Sequence, residues 1–586
     1  MRQWMVAAKK ADFYVIAEKF HVDPVVARII RNREVIGEKN IRIYLGGNLS
    51  DLSDPHQMKD MDRLGGILAQ KIRKQVHIRI IGDYDVDGVT SSHLFLTALR
   101  RVGAKVDVVI PHRIQDGYGL SLHLLQQAKE DGVDTILTCD NGIAAIDEIA
   151  WAKAQKMTVL VTDHHAVPFE EHEGRRTEKK SLADAVVNPH QQDCGYPYKE
   201  LCGAGVAWNV IRVLYENYDM DKREAEDLLD FVAMATVCDV MSLTGENRIL
   251  VKEGLKRIRH TKNIGLQALM QACNVQPENI SAYHFGYVLG PCVNATGRLD
   301  TARHALRLFE TGQETEAEEI ARDLVDLNQE RKELTLQGVE MAKKLCEEGG
   351  YENDPVLVLF LPDVHESIAG LIAGRIREMY NRPVFVLTRG EEGVKGSGRS
   401  TENYSMYENM CGCAELFTKF GGHPMAAGLS LPEENVEKFR RKINENCPLT
   451  VEEVCPDIHI DMAMPVGYAS TELVHQFALL EPFGKDNPSP LFADRNLSIS
   501  RMWLIGKNRN VLRMSVLSEY GQPVPVIFFG DVETLFAYFT EKFGKEEVEN
   551  ALHGRKNRIL FSMVYTAKID FYQGNENLQL EMKYYR

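Results

Sequence analysis

From residue 77 onward, short apolar runs alternate with amphipathic stretches. "HIRII" precedes "VTSSHLFLTALRRVG", "VDVVI" precedes "SLHLLQQAKEDG", "TILT" precedes "IAAIDEIAWAKAQK", and "TVLVT" follows. Repeated strand–helix alternation of this kind predicts an α/β fold on a parallel, doubly wound sheet. Residues 1–70 predict short helices, among them "DPVVARIIRNR" with Asp23 as N-cap and Pro24 at the first helical position. Residues 312–348 form the longest helical pattern, rich in charge, and predict a connector helix. Strand–helix patterning resumes at "PVLVLFLP", giving a smaller α/β domain over 349–450. The remainder, 451–586, leans towards short strands such as "LSISRMWLIG" and "VPVIFFG", which predict a small β-barrel or sandwich. The main α/β domain is expected over 71–311.

A chain of 586 residues is too long for one core and divides into roughly three or four domains. No apolar run reaches the ~18 residues of a membrane span, and the first residues are interrupted by charge too often for a signal peptide. Eleven cysteines lie scattered without Cys-x-x-Cys pairs, the pattern of free thiols in a reducing cytoplasm. The net charge of −15 argues against bulk attraction to nucleic acid but leaves room for a local basic groove.

In open α/β sheets, ligands bind beyond the carboxyl ends of the strands. Reading only those ends gives a consistent set: Asp83, Asp85 and Asp87 after "HIRII", Asp140 after "TILT", and Asp163-His164-His165 after "TVLVT". Asp239 ends the apolar helical run "MATVCDVMSL", where an unpaired carboxylate is costly. On an extended backbone the alternating Asp83, Asp85 and Asp87 would point the same way, and three like charges repel unless cations sit between them. Carboxylates with an imidazole suit Mn²⁺ or Mg²⁺, the histidine favouring Mn²⁺. Several bridging carboxylates favour two ions ~3.5–4 Å apart, as in phosphoryl displacement. His164 and His165 on an extended chain would face opposite sides, so a turn is needed to bring His165 in.

The motifs "GDYDVDGVT", "TCDNG", "TDHH", "VVNPHQ" and "MATVCDVMSL" resemble, in order, the catalytic lobe of the DHH phosphoesterases. "VKGSGRS" and "KFGGHPMAAGLSL" resemble the DHH-associated lobe, and "LLEPFGKDNPSPLF" the start of an oligonucleotide-binding (OB) barrel. Together they cover nearly the whole chain and are similar to the RecJ family, single-stranded-DNA-specific 5′→3′ exonucleases of DNA repair and recombination. The resemblance implies Asp85 and Asp87, with Asp83 nearby, as first-strand metal ligands. It implies Asp140 as the bridging ligand, His164 as the imidazole ligand and Asp239 as the last carboxylate. It further implies that His165 contacts the scissile phosphate, with Asp163 orienting the pair.

Arg298, Arg399 and His423 are candidate phosphate contacts. The glycines around Ser397 and Gly398 would let backbone amides approach a phosphate, and the resemblance implies that the Gly421-Gly422-His423 loop lines the cleft. Arg501, Lys507, Arg509 and Arg513 are candidate groove residues on the barrel. The sequence departs from the family at Gly290-Pro291-Cys292, at Val364-His365-Glu366-Ser367 and at Lys485-Asp486. The implied partners are single-stranded DNA, a helicase and a single-strand-binding protein, with no membrane and a monomeric chain. Two other readings are a phosphodiesterase of short oligoribonucleotides or cyclic dinucleotides, and a non-catalytic replication scaffold.

Overall fold

The structure is a computed structural model that describes residues 3–586 apart from 114, 115, 117, 118, 173, 174, 352, 391, 392, 507, 508 and 573. Its backbone divides into two compact units. One holds residues 52–241 and 249–456; the other holds 3–51, 242–248 and 457–586.

The first unit is built on β1 (Ile78–Ile81), β2 (Val106–Val109), β3 (Thr135–Cys139), β4 (Thr158–Thr162) and β5 (Ala185–Val187). All pair in parallel, in the order β2-β1-β3-β4-β5. β1 and β3 are buried at every position, as strands covered by helices on both faces must be. The order reverses at β1, since the chain adds β2 on one side and then β3 on the other. The crevice beyond the carboxyl ends of β1 and β3 is therefore the topological switch point, where such sheets bind ligands. Helix α1 (Val86–Arg101) leaves β1, while α2 (Gly203–Glu216) and α3 (Leu229–Cys238) follow the sheet. Further on, α4 (Gly290–Leu299) leads by way of a short helix to α5 (Glu314–Glu348), the long connector.

Beyond α5 lies a smaller sheet in the same unit: β6 (Leu357–Phe360), β7 (Val384–Gly390), β8 (Gly393–Arg399), β9 (Lys419–His423) and β10 (Ala426–Leu431), in the order β9-β10-β8-β7-β6. Only β6 and β7 pair in parallel.

In the second unit, strands Phe492–Ile505, Val511–Leu517, Pro523–Phe528, Asn575–Tyr585 and Leu560–Tyr572 pair in that order, and the last pairs back to the first. This closes a small barrel with the connectivity of an OB fold. The first 70 residues are not one segment. Helix Pro24–Asn32 buries Val25, Val26, Ile29 and Ile30 in the barrel's own core with Phe492, Leu512 and Phe561, and Trp4–Val6 pairs with Ile458–Ile460. Helix Met61–Arg73 instead packs on α2 of the first unit. The dividing force is apolar burial: the two stretches serve different cores. No helix among the described residues is long and apolar enough to cross a membrane.

Candidate functional site

The carboxylates after β1 do not share one continuous extended stretch: Asp85 is extended, but the helix begins at the next residue. Asp85 is the N-cap of α1, its Oδ1 accepting from the amide of Gly88 at 3.0 Å, and Asp87 sits in the first helical turn. The close return of the chain requires Gly88, where a Cβ would stand 2.4 Å from the Asp83 carbonyl oxygen. Asp83, Asp85 and Asp87 converge by this turn rather than by alternation. Asp87 is held from the far side, because its two carboxylate oxygens accept from the amides of Gly203 (2.6 Å) and Ala204 (2.7 Å), the first residues of α2. Those are amides that a helix start leaves without internal partners.

Asp140 follows β3 in the left-handed region at φ 60°, a conformation costly for a residue with a Cβ. Asn141 fastens the two strand ends by donating its side-chain amide to the carbonyls of Ile81 (3.0 Å) and Cys139 (2.9 Å). Gly203 comes so close that a Cβ there would lie 2.6 Å from the Asp140 Cβ. Sequence reasoning missed Gly203; the only signal was a pair of glycines opening an apolar helix in "CGAGVAW".

After β4 the backbone turns, so both histidine rings reach the same site with centroids 4.4 Å apart. Asp163 enforces the turn. It accepts from the amides of His164 (2.7 Å), His165 (3.1 Å) and Ile143 (2.8 Å), and its Oδ1 lies 2.8 Å from Nδ1 of His165. Nε2 of His164 lies 3.0 Å from Asp140, 3.6 Å from Asp239 and 3.7 Å from Asp87. Asp239 is the C-cap of α3. Potential ligand atoms of Asp83, Asp85 and Asp140 lie within 4.8 Å of one another, as do those of Asp87, His164 and Asp239, and those of Asp140, His164 and His165.

Burial, followed by the neighbouring carboxylates, pushes Asp83 and Asp140 well above the usual carboxylate range and Asp85 upward as well. Burial lowers His164, leaving a neutral imidazole with a lone pair, the metal-binding form. For His165 burial opposes the charge, yet Asp163, Asp239 and Asp87 outweigh it and carry the ring up to about 9. Buried Asp83 Oδ1 and His164 Nε2 have no hydrogen-bond partner among the described residues. Such groups cost free energy unless something satisfies them, and an oxygen-rich set with one imidazole fits hard divalent cations.

Beside the carboxylates is a cavity of about 310 Å³ lined by Asp83, Asp85, Arg113, Cys238, Asn294 and Arg298, among others. Arg298 donates to the Ser367 carbonyl at 2.7 Å. Burial and then the nearby Arg113, Arg331 and Arg399 lower it to about 10. Arginines crowded in this way suit a polyanion. Arg113, in the stretch after β2, was missed because that strand end carries no adjacent carboxylate.

A second cavity of about 770 Å³ shares Arg113 and is lined by Ser397, Lys395, Lys419, Phe420, Gly421 and Gly422, among others. Here the expectation of a backbone cradle at 396–400 is corrected. Gly396–Arg399 belongs to β8, which pairs with β7 and β10 on its two edges, so its amides serve the ladder. Gly398 faces the core, where a Cβ would meet Met406 Sδ at 2.2 Å. Arg399 donates to the Gly398 carbonyl at 2.8 Å, and Ser397 presents its side chain to the cavity. His423 ends β9, exposed, and lines neither cavity.

Of the departures from the family pattern, Glu366 pairs with Lys395 at 2.8 Å and Cys292 is buried 3.8 Å from the Cys273 sulfur. The Lys485 carbonyl accepts from Leu243 at 2.9 Å. On the barrel, Arg501 is exposed with its guanidinium 5.6 Å from the Trp503 ring, and Arg513 stands opposite Trp503. Arg509 sits in the following turn, and Lys507 lies outside the described residues.

Three family models match the chain: the DHH family N-terminal domain over residues 77–236, the DHHA1 domain over 353–447 and the RecJ OB domain over 460–584. The single-stranded-DNA-specific exonuclease RecJ of Haemophilus influenzae is 32% identical over 96% of both chains, and that of Escherichia coli 31% over 95% of both. The Bacillus subtilis enzyme is 33% identical over 86% of this chain, which spans 63% of that longer relative. Among solved structures, RecJ from Thermus thermophilus in complex with Mn²⁺ superposes with a TM-score of 0.81 at 25% identity, over 100% of this chain and 79% of the other. An exonuclease RecJ bound to manganese matches at 32% identity and TM-score 0.56, over 66% of this chain and 94% of that one.

Proposed function

The chain belongs to the RecJ family, and we propose that it is a metal-dependent exonuclease specific for single-stranded DNA, releasing nucleotides from the 5′ end during repair and recombination. The observation that carries this reading is the convergence of six candidate ligands, Asp83, Asp85, Asp87, Asp140, His164 and Asp239, beside the arginines of the phosphate cavity. These six would hold two ions, Mn²⁺ or Mg²⁺, with Asp140 standing between the two carboxylate sets. Bound there, divalent cations would lower the pKa of a water and neutralise charge developing on phosphate oxygens.

The remaining chemistry belongs to side chains of this chain. His165, kept protonated by Asp163, donates to a non-bridging phosphate oxygen as negative charge builds on it. Arg113, Arg298 and Arg399 bind the terminal phosphates, with Ser397, Gly421 and Gly422 on the wall of the adjoining cavity. Gly203 and Ala204 hold Asp87 in place through their amides. The barrel grips the strand beyond the site, as OB folds do by stacking and a basic face. The protein works in the cytoplasm as a monomer, and its candidate partners are a helicase and a single-strand-binding protein.

The test is digestion of 5′- and 3′-labelled single strands with Mn²⁺, Mg²⁺ or chelator. The expected result is metal-dependent loss of the 5′ label as mononucleotides with duplex left intact. Preference for cyclic dinucleotides or short oligoribonucleotides over long DNA would overturn it.

A further inference from the structure

Tyr283 and Tyr287 are among the most exposed aromatic side chains of the first unit, at 62% and 71%, and they stack on each other with centroids 5.1 Å apart and planes at 23°. Leaving two rings in water forgoes the burial that such side chains ordinarily seek. They also sit on unusual backbone. The helix begins at Ala282–His284, widens to a π-turn over Phe285–Leu289, and runs on as α4. Single π-turns inside helices cluster at functional sites.

The position of this turn ties it to the candidate site. Cys238, next to Asp239, donates its thiol to the Phe285 carbonyl at 3.3 Å, and a Cβ at Gly290 would stand 2.3 Å from the same sulfur. The spacing 287, 291, 294, 298 follows the helical repeat, so Tyr287, Pro291, Asn294 and Arg298 form one stripe. Asn294 accepts from the amide of Val86 at the start of α1, and both Asn294 and Arg298 line the 310 Å³ cavity. At 1.5 Å per residue, Tyr287 stands roughly 10 Å along the helix from Asn294. That is within reach of a nucleotide or two from a phosphate held at the arginines.

We propose that Tyr283 and Tyr287 form a stacking platform for nucleobases of the single strand entering the site. The proposal rests on the nuclease reading above and adds a binding site to it. The occupant is a nucleic acid rather than a protein because the platform continues the stripe that carries Asn294 and Arg298, which line the cavity beside the candidate metal ligands. The stacked pair presents a π-face that any base can cover, so it would bind without sequence preference.

The test uses the full chain, in chelator to prevent hydrolysis, and 5′-phosphorylated oligodeoxythymidylate whose bases are replaced one at a time by abasic sites. For the parent chain, affinity should fall at one or two abasic positions near the 5′ end and nowhere else nearby. Tyr283→Leu with Tyr287→Leu should weaken binding of the intact strand about 5- to 100-fold and abolish that positional dependence. Tyr→Phe at both positions should retain affinity. A strand carrying 5-iododeoxyuridine near its 5′ end should photo-cross-link to the 282–289 peptide of the parent chain, a readout that needs no variant to fold. Equal affinity of the leucine variant and its parent, or cross-links only elsewhere, would overturn the platform and leave the pair as a protein contact. Absence of any strand hydrolysis by the parent with metal would instead sink the nuclease reading, so the two failures are distinct.

Discussion

Asp163 Oδ1 and His165 Nδ1 lie 2.8 Å apart, and the same carboxylate oxygen accepts from the amides of both histidines. One buried aspartate therefore sets both the turn that brings His165 into the site and its proton. Asp163→Asn keeps the shape but removes the charge. His165, now carried up to about 9, should then lose its proton nearer the ordinary histidine value of about 6.5. The parent should keep its kcat from about pH 6 to 8, while the variant falls across that interval as imidazolium becomes imidazole. Loss of a transition-state donor is worth about 2–4 kcal/mol at the upper end. A pH profile of kcat checks this, and parallel profiles would refute it.

Asp140→Ala and His164→Ala should each abolish hydrolysis with the fold intact. Removing Asp140 relieves repulsion among buried carboxylates, so the metal-free variant should melt no lower than its parent. Mn²⁺ at a hundredfold excess over Kd should stabilise the parent by about 2.7 kcal/mol and either variant far less. Thermal melts with and without MnCl₂, beside activity, make the measurement. Activity retained at saturating Mn²⁺ would remove these residues from the ligand set.

Gly203→Ala places a methyl group 2.6 Å from the Asp140 Cβ and pushes on the helix start that holds Asp87. Overpacking at such a site costs about 1–3 kcal/mol. Because the displaced groups are candidate ligands, Mn²⁺ affinity and kcat should fall together. Gly66→Ala, at a helical glycine with open space around it, is the control. A stable Gly203→Ala protein with full Mn²⁺ affinity would show that this close approach is only packing.

Deleting everything after residue 456 is a poor test of the barrel, because it would also strip the partners of Val25, Val26, Ile29 and Ile30. Charge reversal is cleaner. Arg501→Glu with Arg513→Glu should weaken binding of long single strands and make the fall of affinity with salt shallower, by roughly 0.7 in logarithmic slope for each phosphate no longer neutralised. A salt titration of binding gives the slope. An unchanged slope would place the strand on another face of the barrel.

Local pattern decided much of this protein. Runs such as "TILTC" and "TVLVT" are strands because they are short, apolar and followed by helical spacing, and residues 314–348 form one helix for the same local reason. The succession of an α/β sheet, a connector, a second α/β domain and a strand-rich last domain follows from periodicity, as does the placing of Asp83, Asp140 and Asp163 at strand ends, whereas closure of the last domain into a barrel rather than a sandwich does not. Which strand ends meet is another matter. The order β2-β1-β3-β4-β5 sets the switch point between Asp83 and Asp140, and strand order depends on long-range pairing that no window of sequence contains. The turn at His165 depends on amides captured by a buried carboxylate, and the need for glycine at 203 arises only when α2 meets β3. "VKGSGRS" reads as a loop from its glycines, yet becomes a central strand because β7 and β10 claim its amides from both edges. Residues 3–51 join the barrel for a reason equally invisible in their own pattern, since an amphipathic helix specifies that it will be buried but not against what.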